Sequence, residues 1–353
     1  MRDIRTDKAQ AGRESIQTDK EKAQTVTEKK HVALLSVGSN SVLTLSKVVI
    51  GLISGSVSIL SEGIHSGIDL LAACIAFFAV KESGKPADAR HAYGHGKIEN
   101  ISGTIEALLI FVAVVLIVNE AIQKIIHILD GNAVELGNLG LNLGLGVMGA
   151  SALINVLVSS RLMKVAKRTD SVALEADALH LRTDVFTSAG VFLGLLLIKL
   201  TGWFILDPII ALVVAALILK AAYDLVKKAF FPLIDISLPK AEQEIITRIL
   251  SQHEDEFVEF HALRTRKAGA ERHVDLHLVV PKYSTIREVH ELCDLIEQEI
   301  ALHLKDVQVL IHTEPCDIEE VRCPFNQGLS ETCQHCQTIL SHQQGKGSKG
   351  SAE

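Results

Sequence analysis

From His31 to Val226 the chain alternates long apolar runs with short polar breaks. Each run is long enough to cross a hydrocarbon core of ~30 Å at ~1.5 Å per residue. The pattern predicts six transmembrane helices, at roughly 31–54, 57–81, 98–126, 138–163, 177–200 and 203–226. The thirty residues ahead of them are polar throughout and contain no apolar core, so they are not a cleaved signal peptide. Residues 1–30 read as a solvated, mobile cytoplasmic leader.

After Pro232 the period changes. Residues 239–257 repeat as a helix, and 258–269 and 271–281 read as two strands joined through Gly269. In the second strand Val274, Leu276, Leu278 and Val280 alternate with His273, Asp275 and His277, the signature of a half-buried strand. An amphipathic helix (284–304) and a third strand (306–315) follow. The expected architecture is an α-helical membrane protein with six spans in residues 31–232 and a C-terminal cytoplasmic αββαβ domain, a metallochaperone-like α+β unit, in 233–316. Residues 317–353 form a cysteine-containing tail ending in Gly/Ser/Lys-rich, partly disordered sequence.

Hydrophobic residues make up 48% of the 353, a share that soluble domains also reach, so their distribution and not their total points to a membrane. The net charge of -7 argues against nucleic acid as a partner. Lys and Arg fall on one side: Lys29 and Lys30, then Lys85, Arg90 and Lys97, then Arg161, Lys164, Lys167 and Arg168, then Lys227 and Lys228. The other side has little beyond Lys124 and Lys199, so both termini are expected in the cytoplasm. The six cysteines form no disulfide framework, since four of them crowd positions 316–336.

The second apolar run carries His65 and Asp69. An Asp at bilayer centre costs about 2.5–3.5 kcal/mol on insertion scales. Four residues apart, the two share one helix face. The fifth run repeats the spacing with His180 and Asp184. Two imidazoles and two carboxylates suit tetrahedral Zn2+, and two carboxylates balance its charge in a low dielectric. Helix-gluing polar contacts are the alternative, weakened by the identical spacing in two runs. Asp177 lies on the same face, either as an entrance or proton-path residue or, the favoured reading, as a solvated charge at a helix start. Asp88, His91 and His95 offer three ligands in the second loop, or else hydrogen bonds that shape it. Cys316, Cys323, Cys333 and Cys336, with His335 as a substitute, suit a thiolate zinc site or are unpaired thiols. There is no H-E-x-x-H and no P-loop, so neither an intramembrane metalloprotease nor ATP-driven transport is expected, and no catalytic residue is assigned. A membrane-anchored metal sensor is the other class, but it would not need ligands at membrane depth.

"GSVSILSEGIHSGIDLLA", "RHAYGHGKIE" and "ADALHLRTDVFTSAGV", in that order, resemble the cation diffusion facilitators over roughly residues 31–316. The resemblance implies a homodimeric secondary transporter of the cell (bacterial inner) membrane, exporting divalent metal from the cytoplasm in exchange for protons. It implies a transport site of His65, Asp69, His180 and Asp184, with His65 favouring Zn2+ over Cd2+, and with Fe2+, Co2+ or Mn2+ as other cargo. It implies a second metal at Asp88, His91 and His95. It also places a regulatory, dimer-bridging metal at His261, His277, His290, His312 and Glu314, where Glu314 replaces the more usual Asp. The expected partners are metal ions, protons, membrane lipid and a second copy of the chain.

Overall fold

The computed structural model describes residues 4–54, 57–130, 138–201, 203, 205–282 and 284–316. The chain divides into two units, Met1–Ile234 and Asp235–Glu353.

The first unit is helical. Its elements are α1 (Ile4–Ser54), α2 (Val57–Ser83), α3 (Lys97–Leu129), α4 (Asn138–Thr169), α5 (Val172–Thr201) and α6 (Leu206–Phe230), closed by a 3-10 turn at Phe231–Ile234. Among the described residues, three segments are long and apolar enough to cross a membrane: Ala23–Ile50, Lys97–Leu129 and Pro208–Ile234. The leader is helical: α1 begins at Ile4 and runs without interruption into the first apolar stretch. The leader has no Pro and a single Gly, and is dominated by strong helix formers, so nothing stops the helix.

Helix α1 packs on α2, α3 on α6, and α4 on α5. Small side chains make these approaches possible: Ala72, Ala73 and Ala76 on α2 and Ala173, Ala176 and Ala178 on α5 are buried. At Gly103 a Cβ would lie 2.9 Å from Val172 Cγ1 and 3.1 Å from Ala229 Cβ, so α3 meets α5 and α6 there only because the residue is Gly. Leu45, Leu108, Val115, Leu157 and Leu217 point outward, a large apolar exterior of the kind lipid covers.

One carboxylate ties four helices together. Lys29 Nζ donates to Glu99 Oε1 at 3.1 Å, and both side chains are buried. Ser83, at the end of α2, donates to the same oxygen at 3.0 Å, and Ser171, just before α5, donates to Oε2 at 2.5 Å. Arg168 and Glu28 add an ion pair between α4 and α1, and Lys228 pairs with Glu175 at 2.6 Å between α6 and α5.

The second unit comprises α7 (Lys240–Gln252), β1 (Glu259–Ala268), β2 (Glu271–Val280), α8 (Ile286–His303) and β3 (Val307–Pro315). The strand order is β1-β2-β3, with β1 antiparallel and β3 parallel to β2. A parallel neighbour needs a crossover, which α8 supplies. Gly269, at φ 62°, turns the hairpin, and a capping box of Thr285 and Glu288 starts α8. Ile246 and Leu250 of α7 and Leu292, Ile296 and Ile300 of α8 cover Val274, Leu276 and Leu278 on one sheet face. Among the described residues no helix covers the opposite face. Arg272 grips Glu242 through two bonds of 2.8 and 2.9 Å, fixing β2 to α7. His253, after α7, sits between Glu256 (3.0 Å) and Glu299 of α8 (3.1 Å), one carboxylate at each ring nitrogen.

Lys29→Met leaves the Glu99 carboxylate buried without its counter-ion. It should cost roughly 3–5 kcal/mol of stability, seen as a lower melting temperature of the purified protein and partly restored by adding Glu99→Gln. At His253, burial disfavours the charged ring, but the bonds to Glu256 and Glu299 and their charges outweigh it and raise the pKa. That stabilisation is complete below the unfolded value of about 6.5 and is lost as pH rises through the higher folded value. Melting temperature should therefore fall over that range, and His253→Gln should flatten the profile.

Candidate functional site

The two helices carrying His-x-x-x-Asp come together. His180 Nε2 of α5 lies 3.2 Å from Asp69 Oδ1 of α2, and His65 Nε2 lies 3.9 Å from the same oxygen. His65, Asp69 and Asp184 each offer a ligand atom within 4.8 Å of the others. All four candidates thus meet around Asp69. A tetrahedral ion with ligands at ~2.0–2.1 Å sets neighbouring donors about 3.3 Å apart. The His180–Asp69 separation of 3.2 Å already has that edge length, and the His65–Asp69 gap of 3.9 Å needs only a small closure. Asp69 and His180 are buried, whereas the His65 side chain is 48% exposed.

Asp177 corrects its favoured reading. Helix α5 starts at Val172, five residues earlier than the apolar pattern suggested, so Asp177 is inside the helix and only 1% exposed. The Ser36 hydroxyl of α1 is the polar group beside its carboxylate. Glu106 of α3, which no motif singles out, is equally buried and accepts from Ser102 at 3.4 Å. The i, i+3 spacing of Asp177 from His180 was the available signal for the first; Glu106 had none beyond its position in an apolar run.

In the loop between α2 and α3, Asp88 Oδ1 accepts from the backbone N–H groups of Arg90 (2.8 Å) and His91 (2.7 Å). His91 Nδ1 lies 3.3 Å from that oxygen, and His95 Nε2 lies 3.4 Å from Oδ2. Asp88 thus shapes the turn, and it also groups with His91 and His95 at ligand spacing. The two backbone donors hold the Asp88 carboxyl below its usual range, which keeps it available as an anionic ligand.

On the open face of the second unit's sheet, His261 pairs with His277, and His277 with His312, across β1, β2 and β3. Glu314 stands two residues beyond His312, on the same face. His277 Nδ1 is 2.8 Å from Glu314 Oε1, His261 Nε2 is 3.4 Å from Oε2, and His312 Nε2 is 3.7 Å from Oε1. A bulge between His261 and Arg264, with Ala262 at φ 51°, sets the end of β1 and the aim of His261. His290 does not join this row; it stands on an exposed face of α8, 3.5 Å from Asp294. Cys316 is a free, buried thiol against Val258 and Val279, its N–H bonded to Val280 O at 2.8 Å. Cys323, Cys333, Cys336 and His335 lie outside the described residues.

Two family descriptions match this chain: the cation efflux transmembrane domain over residues 33–234, and the cation efflux protein cytoplasmic domain over residues 238–316. An uncharacterized transporter of Synechocystis sp. is 37% identical over 287 residues, 81% of this chain and 90% of its own. The cation-efflux pump FieF of Shewanella oneidensis is 30% identical over 285 residues, 80% of this chain and 93% of its own. A solved structure of CzrB in its zinc form covers 23% of this chain and 92% of its own at 33% identity, with a TM-score of 0.22.

Replacing His277 and His312 together with Ala should weaken metal binding at the sheet row by tenfold or more, since outer-sphere changes alone cost roughly 10–100-fold. Calorimetric titration of the purified protein, before and after the substitution, measures the loss.

Proposed function

The chain belongs to the cation efflux family, a transporter of divalent metal ions and not an enzyme, and on that premise we propose that it exports Zn2+ from the cytoplasm in exchange for protons. The observation that carries the proposal is the meeting of His65, Asp69, His180 and Asp184 around the Asp69 carboxylate. Two nitrogen and two oxygen donors suit Zn2+, and the two carboxylates neutralise it at a depth where an uncompensated charge is costly.

In this reading all six helices of residues 31–232 cross the membrane, with both termini cytoplasmic and the protein in the bacterial inner membrane. The placement of Lys and Arg supports that orientation. Residues 233–316 form the cytoplasmic domain through which two copies associate. The His261, His277, His312 and Glu314 row takes a regulatory ion there. Asp88, His91 and His95 bind a second ion at the loop.

Transport alternates between two states of the quartet. Facing the cytoplasm, neutral imidazoles and ionised carboxylates bind the metal. Facing outward, protons compete for the same lone pairs and release it, because a metal ligand must be deprotonated. Imidazole exchanges its proton near neutral pH, which suits it to this competition. A ligand that binds the two states equally shifts nothing, so the regulatory ion must favour one arrangement of the paired domains.

Asp184→Ala removes one of the two balancing charges and leaves a bound Zn2+ with a net positive charge. A penalty of roughly 3–5 kcal/mol corresponds to a loss of site affinity of about two to four orders of magnitude. Inside-out vesicles under an imposed pH gradient should therefore accumulate zinc with wild-type protein and fail to do so with Asp184→Ala. Near-normal uptake by the variant would show that the quartet is not the transport site, and running the assay with Cd2+, Fe2+, Co2+ and Mn2+ ranks the cargo.

A further inference from the structure

The two oxygens of Glu99 reach separate helices, and these are the two that carry the quartet. Oε1 accepts from Ser83, in the last turn of α2, at 3.0 Å, and Oε2 accepts from Ser171, at the start of α5, at 2.5 Å. The Ser171 hydroxyl also accepts from the Leu174 N–H at 3.4 Å, so the same group caps α5 and fastens it to Glu99. Lys29 Nζ, 3.1 Å from Oε1, supplies the opposite charge. Glu99 stands in the first turn of α3, where the helix dipole favours an anion. Glu99 and Ser171 are both buried, so water does not compete for the bond between them.

This clamp and the quartet lie along the same two packed helices. At ~1.5 Å per residue, Ser171 is ~14 Å along α5 from His180, and Ser83 is ~21 Å along α2 from Asp69. Between them Ala79 and Val80 of α2 and Ala173, Leu174 and Ala178 of α5 belong to one buried cluster. Close-packed interiors transmit a displacement more than they absorb it. A shift of either helix end at Glu99 is therefore felt where Asp69 meets His180.

We infer that Glu99 is a positioning residue for the transport site: by holding the ends of α2 and α5 it sets the separation of the four donors, and with it the size of ion they accept. The His180–Asp69 spacing of 3.2 Å already has the edge length of a Zn2+ tetrahedron. Cd2+ carries the same charge on a larger radius and needs a wider set of donors. Releasing the helix ends therefore costs Zn2+ more than Cd2+. Glu99 acts through Ser83 and Ser171 and is not itself a ligand.

The inference rests on the reading of the quartet as the transport site, and the two fail in different ways. Zn2+ and Cd2+ are titrated separately into the full-length protein in lipid nanodiscs, with the loop and sheet sites disabled by His91→Ala and His277→Ala in every sample. Binding that disappears on adding Asp184→Ala is quartet binding. Ser83→Ala with Ser171→Ala frees both helix ends and leaves the Lys29–Glu99 pair in place. It should weaken Zn2+ at the quartet roughly tenfold, the lower end of what an outer-sphere change costs, and leave Cd2+ within about twofold. Ser83→Thr with Ser171→Thr keeps both hydroxyls and should keep the wild-type Zn2+/Cd2+ ratio. If the double alanine variant does not fold, Ser83→Ala alone, at a half-buried position, should move the ratio in the same direction by a smaller factor. An unchanged ratio, an equal loss for both ions or a shift toward Zn2+ overturns the inference and leaves Glu99 as a stabilising knot, as does an equal shift in the threonine pair. Zn2+ binding that persists with Asp184→Ala overturns the transport-site reading instead.

Discussion

A charge carried into the helical unit is costly unless a group of opposite sign, a set of hydrogen bonds or a cargo ion meets it. That constraint organises the unit. Glu99 is met by Lys29 and two serines, and the result is a knot of α1, α2, α3 and α5. Asp69 is met by His180, and this contact brings α2 to α5. Lys47 of α1 is buried and donates to Ser66 of α2 at 2.7 Å. At the knot the charges are permanently matched. At the quartet the match is between imidazole and carboxylate, both of which can also serve as metal ligands.

Bringing such groups within reach requires backbones that approach closely, and the sequence meets this with Ala and Gly. The alanines of α2 and α5 flank the quartet positions along the same helices. Gly63 lets α1 touch α2 two residues from His65, and Gly103 lets α3 seat against α5 and α6. A larger residue at either place would spread the helices that carry the quartet, so the small residues hold its geometry as well as the packing.

What could be read in advance follows from the range of each interaction. The six helices and the αββαβ order show in local periodicity, and their ends agree with the pattern to within a few residues at most boundaries. The quartet was legible because its spacing of four repeats inside apolar runs. The row of His261, His277, His312 and Glu314 has no shared spacing, and it emerged only through family resemblance and then through strand register. Contacts between distant positions left no local trace: Lys29 and Glu99 are 70 residues apart. The helix through the leader was not foreseen because its polarity outweighed its helix formers, which with a buried Lys29 continue α1. Asp177 was misplaced because an apolar pattern does not mark the first turns of a helix, where Val172 to Ala176 are mixed in character. His290 shares a domain with the row but not its sheet face.

The strand order carries a further consequence for how the protein is made. His277 and Glu314, 37 residues apart in sequence, touch only after α8 has crossed over and β3 has paired in parallel with β2. A slip of β3 by one residue would turn His312 and Glu314 to the opposite face and dismantle the row. During synthesis the hairpin of β1 and β2 emerges first and can present His261 and His277, but not the carboxylate that joins them. The full set of donors on this face is therefore gathered only when the last strand has arrived in the correct alignment, so the grouping itself reports a finished domain.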